Sequence, residues 1–127
     1  EILSGLVGSE MCIRDRTKAF QDLMTEAAHS QIYPLCLSVL TVAEWLYLSW
    51  ADRPDAALPP RFIHAEWITL HNNPAFADFI GWLRSELDRT GAALDAAGQA
   101  QCADMFGRAV KLERDFFDHV YTPLQYS

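Results

Sequence analysis

The stretch "SVLTVAEWLYLSWA", residues 38–51, decides the fold. It belongs to a run from Gln31 to Ala51 in which Glu44 is the only group ionised near neutral pH. Alternation of apolar and polar residues never persists here, so the run reads as a helix over about 32–51 rather than a strand. Burying an ionised carboxylate without partners costs several kcal/mol or more. Glu44 must therefore be paired, hydrated, protonated or put to use.

At 21 residues the run is long enough to span a bilayer. Its details argue against that. Glu44 is central, Ser38, Thr41 and Ser49 are polar, Pro34 opens the run, and the first flanking charges, Asp52 and Arg53, are mixed in sign. The expectation is a buried helix of a soluble domain, with no membrane partner.

Outward from this helix the chain keeps a 3.6-residue period. A first helix is expected over 17–28, with Phe20, Leu23, Met24 and Ala27 on one side. Ser30 is a candidate cap for the 32–51 helix, and Pro34 suits its first turn, where a missing N–H does no harm. "ALPPR" (57–61) is a linker, and a third helix follows over about 60–71. "HNNP" breaks it, Pro74 starts a fourth over about 74–90, and Thr90–Gly91 is its stop. Phe76, Phe79, Ile80, Leu83 and Leu87 form the stripe of that fourth helix. Asp95 can cap a fifth, about 96–121, striped by Cys102, Met105, Phe106, Ala109, Leu112, Phe116, Phe117 and Val120. Glu113 falls on this stripe, seven residues after Phe106 and three before Phe116. Two helices thus each place a glutamate where a core residue belongs.

Composition bounds the rest. Half of the 127 residues are apolar, enough for one packed domain. Ten basic residues face 17 acidic ones, a net charge of −7 with no basic run, which argues against a nucleic-acid partner. Cys12, Cys36 and Cys102 are widely spaced and form no CxxC, the usage of a reducing compartment, so a cytoplasmic location is expected. The opening "SGLVGSEMCIRDR" (4–16) resembles a translated sequencing-adapter read-through and lacks the pattern of a secretory signal. Residues 1–16 are accordingly expected to be a non-native leader and 17–127 the genuine chain, still acidic with eight basic and 14 acidic residues.

Each candidate has a plainer alternative. Glu44 can be a carboxylate bonded to Tyr47 or to a neighbouring helix. Glu113 can pair with Lys111 or Arg114, although those neighbours stand at i−2 and i+1, off its stripe. Tyr47 can be a core aromatic, and His71 a partner for the negative end of its helix. His119 follows Asp118 near the chain end and reads as solvent-facing. The four tryptophans read as packing, with a stacking face for a flat ring as their other use. A metal-dependent oxidase would need ExxH pairs, but Tyr47 follows Glu44 at i+3 and Phe116 follows Glu113. A non-catalytic helical binding or assembly module would hold the same acids in structural pairs.

"F-x-x-L-x-x-x-A" (20–27), then the apolar helix, "EWITLHNNPAFADFIGWL" (66–83) and "GRAVKLERDFFDHVY" (107–121), resembles in this order the C-terminal half of the TenA/thiaminase-II family. The resemblance covers residues 17–121. It implies an all-α, antiparallel bundle of the haem-oxygenase type, with about five helices here and a missing N-terminal half. It further implies assembly as a homotetramer, no metal or cofactor, and hydrolysis of aminopyrimidines in thiamin salvage. Glu113 matches the family's glutamate that acts as an acid on the substrate. "VAEWLY" is similar to the cysteine-less branch, in which a glutamate three residues before a tyrosine, here Glu44 and Tyr47, takes over from the nucleophilic thiol. The family's cysteine directly follows the proline of this helix. Here Leu35 stands at that place, and Cys36 is rotated from it by about 100° and reads as an ordinary buried residue. His71 stands where the family commonly has a substrate-binding tyrosine. The aspartate that grips the pyrimidine belongs to the family's N-terminal half.

Overall fold

The computed structural model describes residues 2–53 and 55–121, with side-chain surroundings over 14–53 and 55–119. Five helices account for nearly all of them: α1 (Ile2–His29), α2 (Tyr33–Ala51), α3 (Phe62–His71), α4 (Pro74–Gly91) and α5 (Ala96–Tyr121). The described residues contain no strand. The all-α helical bundle expected from the 3.6-residue period is the observed fold.

α2 packs against each of the other four helices. A helix apolar around most of its circumference can bury that surface only at the centre of a bundle. Leu35, Val39 and Val42 of α2 meet Leu23 and Ala27 of α1 and Met105 and Ala109 of α5 in one buried cluster. From the opposite side Leu37 meets Ile80 and Leu83 of α4 in a second. By length and composition α2 could cross a bilayer, yet here it lies against four helices.

The helix ends follow local chemistry. Pro34 sits in the first turn of α2. Asn73 Oδ1 accepts from Phe76 N–H at 2.9 Å to cap α4, and Asp95 Oδ1 accepts from Gly98 N–H at 2.8 Å to open α5. Ser30 stands outside the cap position of α2, which Ile32 occupies. Its hydroxyl instead clasps the turn, donating to the Ala27 carbonyl at 2.6 Å and accepting from Ile32 N–H at 3.1 Å. Gln31 turns the chain there with φ at 58°, in the left-handed region.

Three expectations shift. α1 begins at Ile2 rather than 17, and Arg16 reaches α5 through an ion pair with Asp115 at 3.9 Å. α3 begins at Phe62, after the prolines rather than on them. Met24 and Phe79 lie on apolar stripes but are exposed, because the stripes are wider than the surface their neighbours cover. The side chains of Cys12 and Val120 lie outside the described residues.

Candidate functional site

Glu113 is 6% exposed, on the face of α5 that also buries Met105 and Ala109. Among the described residues it makes no hydrogen bond or ion pair. The cations that could have neutralised it are committed elsewhere. Lys111 and Arg114 turn to Asp115, and Arg108 reaches Glu26 and Asp104. The ion pair that offered a plain explanation for Glu113 is therefore not made. Burial raises its proton affinity first, and the negative charge of Glu44 on α2 adds to the effect.

Glu44 is half-buried and likewise has no ion pair among the described residues. Tyr47, one turn along α2, completes the group. Burial pushes its phenol up, and the charges of Glu113 and Glu44 push in the same direction. The two glutamates singled out from the apolar pattern and Tyr47, singled out by the resemblance, thus share one seam between α2 and α5.

Tyr47 also faces an aromatic array. Its ring lies 5.8 Å from Trp50, 5.8 Å from Trp67 and 5.6 Å from His71. His71 ends α3 and stacks on Trp67 at 4.4 Å, with its edge relation to Phe76 at 5.2 Å. His71 Nδ1 donates to the Trp67 carbonyl at 2.6 Å, so the ring serves its own helix end while Nε2 remains for another partner. The helix-end role expected of His71 is the one its Nδ1 bond shows. Cys36 is half-buried, and its thiol donates to the Ala27 carbonyl at 3.3 Å, a packing role on the α1 side. His119 is exposed.

A cavity of about 1020 Å³ opens beside Tyr47, walled by α2, Arg53, Ala56, Ala57, Leu58, α3 and α5. Tyr47, Trp50, Trp67 and Phe117 line it, but Glu44, Glu113 and His71 do not. Glu113 sits just behind the wall, because Val110, Arg114 and Phe117, its neighbours on α5, are lining residues. Trp50 and Phe117 meet edge to face at 4.3 Å. Trp82, by contrast, is 52% exposed and stacks on Phe79 away from this site. Spacing missed Arg53, His64 and Arg114, which add polar groups to the lining. Among the described residues no three of His, Cys, Asp and Glu converge as a metal site requires.

The cavity, with its aromatic rings, can hold a flat heterocycle, and Glu113, its proton affinity raised, stands on the adjoining seam as a candidate proton donor. No protein-family model matches this chain, and no curated protein matches it significantly.

Proposed function

We propose that the chain is the C-terminal half of an aminopyrimidine hydrolase of the TenA/thiaminase-II type, cytoplasmic and assembled as a homotetramer when complete. The observation that carries this reading is Glu113, a buried carboxyl with no cation partner among the described residues, whose proton affinity is raised by burial and by the charge of Glu44. A carboxyl whose proton affinity is raised by burial and by a neighbouring charge is suited to protonating a departing amine.

In the proposed reaction the aminopyrimidine lies among the aromatic rings beside Tyr47, with Tyr47 and His71 orienting it. Glu113 gives its proton to the departing amino nitrogen as the carbon–nitrogen bond breaks. A water oxygen bonds to the same carbon, and Glu44 takes the proton that water releases. The products are the alcohol and ammonia, and the proton gained by Glu44 returns to Glu113 through solvent.

A non-catalytic binding module is the second reading, favoured by the cavity lining, which contains neither carboxylate. Ammonia release from an aminopyrimidine, measured on the full-length protein and its Glu44→Gln and Glu113→Gln variants, separates the two. The hydrolase reading expects losses of about 100-fold or more in each variant. Undiminished turnover in both removes the mechanism, and binding without turnover in the unmodified protein supports the module.

A further inference from the structure

We propose that the cavity beside Tyr47 binds a planar aromatic anion, a ligand class that goes beyond the amine substrate of the hydrolase reading. Its volume, about 1020 Å³, is at the upper end of small-molecule sites and exceeds what one pyrimidine ring fills. Trp50, Trp67, Phe117 and Tyr47 offer ring faces from three helices, a lining suited to a fused, flat ligand.

The charges in the lining give that ligand its sign. In a chain of net charge −7, Arg53 and Arg114 both border this cavity, with His64 beside them. Arg53 Nε donates to the Trp50 carbonyl at 3.2 Å, which fixes the guanidinium at the end of α2. Its terminal nitrogens have no carboxylate partner among the described residues. Among the described residues Arg114 has one carboxylate contact, to Asp115 at 3.6 Å, a carboxylate already bonded to Lys111. Asp118 is the one acidic residue among the described lining, against the two arginines. Two exposed arginines in the lining of an aromatic cavity match a ring system ending in an oxyanion, through N–H donors and stacking.

Calorimetric titration of the 127-residue chain with 2-naphthoate and with 2-naphthylmethylammonium tests the proposal, since the two probes share a flat body and differ in the sign of their charge. The expected result is naphthoate binding tighter by about tenfold or more. The double variant Arg53→Gln/Arg114→Gln should lose about tenfold in naphthoate affinity and leave the ammonium probe unchanged or improved. Both arginines are exposed, so the variant should keep the wild-type melting curve. Equal binding of the probes, preference for the ammonium, or a double variant that still binds naphthoate as tightly would overturn the assignment. None of these outcomes depends on hydrolysis at Glu113, so the two proposals can fail separately.

Discussion

Glu113 on α5 lies close enough to Glu44 on α2 for the charge of one to strengthen the proton affinity of the other. Burial is the larger cause, and both act in the same direction. A carboxyl whose affinity is raised by folding contributes stability when protonated, below its unfolded pKa, and loses that contribution as pH rises through its folded pKa. Glu113→Gln fixes the uncharged form. It should gain about 1 kcal/mol over the wild type near neutral pH, and the gain should disappear near pH 4. Urea denaturation at the two pH values measures it. A variant less stable at neutral pH would mean that the ionised carboxylate is satisfied in the fold.

The coupling itself has a separate signature. In Glu44→Gln the Glu113 carboxyl should titrate at lower pH than in the wild type, yet still above an ordinary glutamate, because burial persists. Carbon-13 titration of the Glu113 carboxyl reports this directly. The Tyr47 phenol, raised by burial and by both acids, should ionise at lower pH in Glu113→Gln, visible as an earlier tyrosinate absorbance rise. A Glu113 titration unmoved by Glu44→Gln would make the two acids electrostatically independent, and an unmoved tyrosinate rise would separate Tyr47 from Glu113.

How much of this was legible in the chain differs from residue to residue. Pro34, Pro74 and Asp95 mark their helix starts because each acts on the backbone within one turn, and the structure keeps all three. The convergence of Glu44 and Glu113 was legible for a related reason: each interrupts an apolar stripe, and stripes face one another. The exposure of Met24 and Phe79 was not, since periodicity marks a face without saying how much of it a neighbour covers. Nor was the cavity, whose lining joins Tyr47, Leu58, Trp67 and Phe117 from four segments. Local pattern carries no record of such long-range meeting. The hydrogen bond of His71 to Trp67 was half legible, as a histidine at a helix end has carbonyls within reach.

Gln31 bears a local strain that a single substitution should relieve. Its φ of 58° falls where an L-residue is disfavoured by about 1–2 kcal/mol and glycine is not. Glycine also adds freedom to the unfolded chain, which offsets part of the gain. Gln31→Gly should therefore stabilise by about 0.5–1 kcal/mol, a rise in Tm of roughly 3–5 °C. Thermal unfolding followed by circular dichroism at 222 nm, the α-helix signal, checks it. A lower Tm would mean that the Gln31 side chain contributes more to the turn than its backbone costs.

Thr41 presents the opposite case, a group satisfied in backbone but not in side chain. It is 1% exposed at the centre of α2, and its Oγ1 has no hydrogen-bond partner among the described residues. Ser38, three residues earlier and equally buried, solves the same problem by donating to the Pro34 carbonyl at 2.8 Å. A buried hydroxyl without a partner costs about 1–3 kcal/mol, and valine offers nearly the same shape without the oxygen. Thr41→Val should raise stability by about 1 kcal/mol, read as a higher urea midpoint at unchanged m-value. A lower midpoint would show that the hydroxyl is bonded in solution, to a buried water in the seam one turn from Glu44.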